Sequence, residues 1–178
     1  MFKIIDDFLD IDKLKHINDI VHSEEIDWKI GKPNINSEQG NFQAMHEVID
    51  KGEIVSPLYS FMVDYVVGGL QKKYKKDIGV NRFRINLFSK SYKNNGLGYH
   101  KDLIDNDDFY SLLLYLEDSD GKTDFKDVQL FNNIKFKSVD SFANRALIFP
   151  SSCEHQTLMH TDITFRTNIN MNFKFDDE

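Results

Sequence analysis

The sequence predicts a mainly β, α+β domain: an antiparallel jelly roll with N-terminal helices buttressing one of its sheets. Three observations predict it. Two stretches of helical periodicity fall within residues 1–79. From residue 80 onward the pattern changes to about seven or eight short strand candidates separated by turn residues. No linker, internal repeat or low-complexity segment divides the chain. Helices followed by a run of strands place the helices on one face of an antiparallel sheet, and a jelly roll offers a mouth suited to a metal site.

Taken in order, residues 2–9 read as a short strand and a turn. Asp10 or Asp12 then caps a helix running to about Ser23, with Ile11, Leu14, Ile17, Ile20 and Val21 on one face. His16 and His22 fall outside that stripe and are expected to face solvent. Residues 27–49, broken by Gly31, Pro33 and Gly40, read as loop with short extended pieces. Trp28 is expected to close part of the core, and His46-Glu47 to lie at the surface or on the substrate side. Ser56-Pro57 is a helix start signal. The helix is expected to reach Lys76 with Leu58, Phe61, Met62, Tyr65, Val66, Leu70 and Tyr74 facing a sheet, weakened internally by Gly68-Gly69.

The β region opens with residues 81–88, where Arg82, Arg84 and Asn86 alternate with Phe83, Ile85 and Leu87. Residues 89–98 form a turn or loop, 105–108 an acidic loop, and 109–116 an apolar strand; 118–121 read as a turn. Residues 125–131, 134–139 and 143–149 are further strands. A last strand, 164–175, sets Arg166, Asn168, Asn170 and Asn172 against Thr167, Ile169, Met171 and Phe173.

The chain of 178 residues is large enough to bury a core without staples and is read as one domain. Fifteen Phe and seven Tyr promise a ring-rich interior. A formal charge of −7 argues against a broad grip on nucleic-acid backbones. Lys72, Lys73, Lys75 and Lys76 form a basic cluster that suits the C-terminal end of a helix dipole. The single cysteine, Cys153, excludes an internal disulfide and fits a reducing compartment. With acidic residues where a secretory leader has basic ones, and no apolar run of membrane length, the expected location is the cytoplasm.

The functional reading turns on Tyr99-His100-Lys101-Asp102. In an extended segment His100 and Asp102 face the same way, and an imidazole with a carboxylate is two-thirds of a facial triad for iron(II). His160-Thr161-Asp162 repeats the pattern, but only the first pair has a long downstream segment with another His and an Arg. His155 lies six residues beyond the apolar strand ending at Phe149, after the turn Pro150-Ser151-Ser152. It is expected at a strand exit, where a rigid sheet positions functional loops. Eleven residues on, Arg166 shares its strand face with three asparagines. A buried guanidinium needs an anionic partner. That partner is either Glu117 or Asp140, in a salt bridge, or the carboxylate of a ligand gripped bidentately. His160 is a candidate replacement ligand, though too near Arg166 to leave room for a loop and a returning strand.

The ordered set His100-x-Asp102, Leu113-Leu114-Tyr115-Leu116, Gly121-Lys122-Thr123-Asp124-Phe125, Asn144 to Pro150, His155 and Arg166 resembles the iron(II)- and 2-oxoglutarate-dependent oxygenases, specifically the prolyl 4-hydroxylase-like branch. The resemblance covers about residues 80–175 and implies a double-stranded β-helix. It implies that His100, Asp102 and His155 ligate Fe(II), that Arg166 binds the distal carboxylate of 2-oxoglutarate, and that Tyr115 shares it. Asn86 and Tyr92 are candidates for the cofactor's other end or the substrate mouth. Where relatives often have two adjacent glycines, this chain has Gly121-Lys122. The implied activity is hydroxylation of an amino-acid, peptidyl or small-molecule substrate by dioxygen, releasing succinate and carbon dioxide, with ascorbate as a candidate accessory reductant and no membrane partner. Residues 31–45, 90–99 and 101–108 are expected to frame the mouth. Two rivals stand beside this reading: a cupin-like metal-binding jelly roll without 2-oxoglutarate chemistry, and a non-catalytic interaction domain on the same fold.

Overall fold

The computed structural model describes residues 1–31, 42–103, 108–131 and 134–176. Its strands and helices are β1 (Lys3–Ile5), α1 (Ile11–Val21), β2 (Lys29–Ile30), β3 (Gln43–Asp50), β4 (Glu53–Ile54), α2 (Ser60–Tyr74), β5 (Ile78–Ser89), β6 (Tyr110–Tyr115), β7 (Ser119–Phe131), β8 (Ile134–Ser141), β9 (Ala146–Pro150), β10 (His155–Leu158) and β11 (Phe165–Phe175). They form two antiparallel sheets. The larger has the order β1-β9-β6-β11-β5-β3-β2, with β4 pairing β3; the smaller has the order β10-β7-β8.

The alternation along β11 decides the layering. Ile169, Met171 and Phe173 point to the outer face, where they meet Ile85 and Phe83 of β5 and Leu112 and Leu114 of β6. Leu14, Ile17 and Val21 of α1 and Met62, Val66 and Leu70 of α2 cover this face. Each such large side chain, fully buried, contributes roughly 1.5–3 kcal/mol. A second apolar cluster, with Leu113, Tyr115, Phe125, Val139, Leu147 and Phe149, contains inward-facing residues of both sheets.

Several expectations change in detail. Ile11 is left 72% exposed, so the buried stripe of α1 begins at Leu14. Asp10 serves as N-cap through its backbone carbonyl, which accepts from the Lys13 and Leu14 N–H groups, and its side chain does no capping. His22 bonds Glu117 and His16 bonds Tyr65, both as exposed groups. The second helix starts later than its Ser-Pro signal, after a 3-10 turn over Pro57–Tyr59. Within it Gly69 abuts Phe8, whose ring a Cβ would approach to 3.0 Å. The apparent weakness is therefore a packing contact.

The largest difference lies in residues 27–49. Residues 43–50 are not loop but β3, paired along most of its length with β5. His46 is buried there, its ring nitrogens meeting the Asp27 carbonyl and the Ser56 hydroxyl at 2.8 Å each, so it is a structural link and not a surface or substrate-side group. Trp28 packs against the outer core as expected. The anticipated turn at 118–121 is instead the start of β7. Among the described residues no helix is long and apolar enough to cross a membrane.

Candidate metal centre

Two ligand candidates are held side by side by backbone. His100 and His155 form an antiparallel bridge in which each N–H donates to the other's carbonyl at 2.9 Å. His155 is the first residue of β10, not a loop residue at a strand exit, and its partner on that strand's other side is Phe125 of β7. The Asp102 N–H donates to the Ser151 carbonyl, which fixes the third candidate against the turn after β9. The outcome is a cluster in which ligand atoms of His100, Asp102 and His155 all lie within 4.8 Å of one another. Each imidazole Nε2 is 3.9 Å from a different Asp102 oxygen. With metal–ligand bonds of about 2.0–2.2 Å, a contraction on the order of 1 Å closes the three around one ion. The chemistry of the set also fits: Nδ1 of His155 donates to the Cys153 carbonyl and Nδ1 of His100 to the Gly98 carbonyl, leaving both Nε2 lone pairs free to ligate. His160, the alternative ligand, is fully buried elsewhere and takes no part.

Asp102 is held from all sides. Arg82 donates to one oxygen at 3.0 Å, Ser111 to the other at 2.5 Å, and Asn170 reaches both at 3.3 and 3.4 Å. Burial pushes this carboxyl up, but the fields of His155 and Arg82, the Ser111 hydroxyl and His100 outweigh it and keep the group ionised below the usual carboxylate range. His155 goes the other way. Burial lowers its imidazole, so it is neutral and able to ligate near pH 7.

The triad opens onto a cleft of about 370 Å³. Asn86 lines it and donates to Asn168 at 3.0 Å; Asn168 and Asn170 line it too. Tyr92 does not. Its side chain is 86% exposed and outside the cleft. Of the expected mouth, Gln43, Met45, Leu97 and Lys101 take part, whereas residues 32–41 and 104–107 lie outside the described residues.

Arg166 lies behind the cleft and does not line it. Its guanidinium carbon is 5.3 Å from the centre of the Phe88 ring, and Phe88 is part of the lining. The residue is 1% exposed, one Nη donates to the Leu158 carbonyl at 3.2 Å, and Nε has no partner. Neither salt bridge foreseen for it forms: Glu117 accepts from Thr167 and Asp140 pairs with Lys122 at 2.8 Å. Among the described residues no carboxylate lies within ion-pair reach, although Glu117, Asp120 and Asp162 act on it from a distance. Gly121 makes the room. A Cβ there would sit 1.9 Å from an Arg166 nitrogen, so the glycine before Lys122 is required whatever follows it. Tyr115 is also behind the cleft, its hydroxyl donating to Thr123 at 2.7 Å and its pKa pushed up to about 12 by burial.

Sequence reasoning missed Arg82, Arg84 and Ser111 as parts of this site. The signal was present in the cross-strand polar pairs: Asn172 faces Arg82 and Ser111, and Asn170 faces Arg84.

No family model matches the chain, and no curated protein does. Solved structures do. A 2OG-Fe(II) oxygenase-family oxidoreductase from Burkholderia pseudomallei superposes with a TM-score of 0.72 at 12% identity, over 97% of this chain and 84% of the other. A Pseudomonas putida prolyl-4-hydroxylase gives 0.61 at 15% identity, over 99% and 93%. The epimerase SnoN, solved with Fe3+, alpha ketoglutarate and nogalamycin RO, gives 0.64 at 8% identity, over 98% and 78%. The fold is thus the double-stranded β-helix of the 2OG-Fe(II) oxygenases, prolyl-4-hydroxylases among them.

Proposed function

We propose that the protein is an iron(II)- and 2-oxoglutarate-dependent oxygenase that hydroxylates a small-molecule, amino-acid or peptidyl substrate. The observation that carries the proposal is the pairing of two features in the space between the two sheets. A preassembled His100–Asp102–His155 cluster stands there with a buried Arg166 that lacks a carboxylate. The orphaned Arg166 Nε fits a co-substrate that brings its own carboxylate to the guanidinium. A jelly-roll metal site without 2-oxoglutarate gives no reason for that cation.

His100, Asp102 and His155 would hold the ion, and Arg166 the distal carboxylate of 2-oxoglutarate. When bound, iron(II) and 2-oxoglutarate supply the oxidising chemistry, in which dioxygen, co-substrate and a substrate C–H become succinate, carbon dioxide and an alcohol. The protein supplies position and charge. Arg82, Ser111 and Asn170 fix the Asp102 carboxylate so that it turns its lone pairs toward the two imidazoles. The Cys153 and Gly98 carbonyls select the ligating tautomer. Asn86 and Asn168 present amides to the cleft between the triad and Arg166.

The test is anaerobic addition of 2-oxoglutarate to iron-loaded protein, followed by dioxygen and succinate assay. The wild type is expected to give a weak visible charge-transfer band and to make succinate. His100→Ala and Asp102→Ala are expected to bind no iron and to reduce succinate to background with the fold intact. Unchanged succinate production in either variant overturns the proposal.

A further inference from the structure

The cleft carries a charge opposite to that of the chain. The protein has a formal charge of −7, yet among the described residues the charged groups lining the cleft are Arg82, Arg84, Lys101 and one acid, Asp102. A cleft lined by one sign of charge focuses its field and concentrates the opposite ion. Arg82 and Arg84 are two residues apart on the inner face of β5, with side chains 18% and 23% exposed. They are half-buried cations in the wall, not solvated surface groups.

Their partners account for part of this charge. Asp102 takes one Arg82 nitrogen, while the Arg82 Nε is buried without a partner. Glu47, on β3, accepts from Nε and Nη of Arg84 through one oxygen, and Glu47 is not itself part of the lining. Among the described residues only Asp102 and Glu47 pair with these two arginines, and Asp102 is shared with the metal cluster, so the wall keeps a positive character that suits an anionic group. A guanidinium fork suits a planar carboxylate, which it grips through two parallel N–H bonds.

Resting on the oxygenase reading, which assigns Arg166 and the triad to co-substrate and metal, we infer that the primary substrate is a small carboxylate. Its carboxylate docks on Arg84, assisted by Arg82 and Lys101, in the cleft beside the triad. This makes Arg84 a specificity-determining residue, with the Glu47 pair holding it in the wall.

The experiment screens the twenty L-amino acids and simple monocarboxylates, each against its carboxamide, with phosphorylated amino acids as a further arm. Stimulated consumption of the co-substrate by the iron enzyme is one readout. Calorimetric binding to zinc-loaded protein, which does not turn over, is the other. At least one carboxylate is expected to bind and to stimulate at least about tenfold (about 1.4 kcal/mol) more than its carboxamide. Arg84→Gln should raise KM for that carboxylate at least about tenfold while leaving KM for the co-substrate unchanged, and Arg84→Lys should recover part of the loss. The inference is overturned if no carboxylate binds or stimulates, if carboxamides or phosphates serve as well, or if Arg84→Gln raises KM for the co-substrate instead. The last result would put 2-oxoglutarate on the arginines. Failure of the oxygenase reading looks different: no 2-oxoglutarate binding to the wild type at all.

Discussion

On one face of β11 stand Thr167, Ile169, Met171 and Phe173; on the other stand Arg166, Asn168, Asn170 and Asn172, and all eight are buried. Of the first set, Ile169, Met171 and Phe173 pack with residues of α1, α2 and the neighbouring strands in the larger apolar core, while Thr167 bonds Glu117. Of the second, Asn168 and Asn170 line the cleft while Arg166 and Asn172 lie behind it, and the set leaves Arg166 Nε, Asn170 Oδ1 and Asn172 Oδ1 buried without partners. An unsatisfied buried group costs roughly 1–3 kcal/mol. The strand therefore holds together by its outer face and tolerates an inner face that is unfavourable on its own. Polar side chains arranged at that cost around a metal-competent cluster are where a functional site is expected, since local rules are broken there without a gain in stability.

The sharpest way to break this division is to damage the outer face. Phe173→Ala removes a fully buried ring beside Tyr110 and Phe175, and it is expected to cost about 3–5 kcal/mol. Denaturant unfolding measures the loss. Metal and 2-oxoglutarate affinity of the molecules that remain folded should be unaltered. A variant that kept its stability but lost ligand affinity would mean that the two faces are not separate.

Damage to the inner face should have the reverse signature and a smaller size. Ser111 has one hydroxyl proton, given to Asp102, and two lone pairs, which meet Ser151 at 2.9 Å and the Asn172 amide at 2.9 Å. Ser111→Ala frees one Asp102 oxygen to rotate. Metal affinity, read by calorimetry with Mn2+, is expected to fall about 10–100-fold, and the buried Ser151 and Asn172 groups that lose a partner are expected to cost roughly 1–3 kcal/mol of stability, less than Phe173→Ala.

The same contrast explains what was legible in the sequence. The period-two pattern of β5 and β11 named both faces of the sheet, because apolar and polar residues alternate there without interruption. That His100, Asp102 and His155 come together was anticipated from residue type, order and the family resemblance, and their ligand atoms do lie within 4.8 Å of one another. β3 was not anticipated. Its alternating residues Ala44, His46 and Val48 include a buried histidine whose partners, Asp27 and Ser56, lie 19 and 10 residues away. The strand β10 hid for a related reason: His155 to Leu158 carries a site residue where an apolar one would have announced a strand. Arg82 on Asp102 and Gly121 under Arg166 are contacts between distant segments, which no local pattern encodes.

Two histidines sharpen the comparison at the scale of a weak interaction. His22, at the end of α1, bonds Glu117 at 2.8 Å, and that bond raises its pKa against the opposing effect of burial. Its stabilising contribution is then complete below the unfolded value of about 6.5 and is lost as pH rises through the raised folded value. His160, buried on the cleft side beside Arg166, has its pKa lowered, first by burial and then by that guanidinium. Its contribution is present above about 6.5 and is lost as pH falls through the lowered folded value. Unfolding measured from pH about 5 to 8.5 across the range of histidine titration should separate them. His22→Ala is expected to destabilise on the acid side and to be near neutral on the alkaline side. Because the pair is solvent-exposed, the difference stays under about 1 kcal/mol. His160→Phe should instead flatten the acid-side decline of the wild type. Identical pH profiles for the two variants would show that the helix layer and the cleft side titrate as one environment.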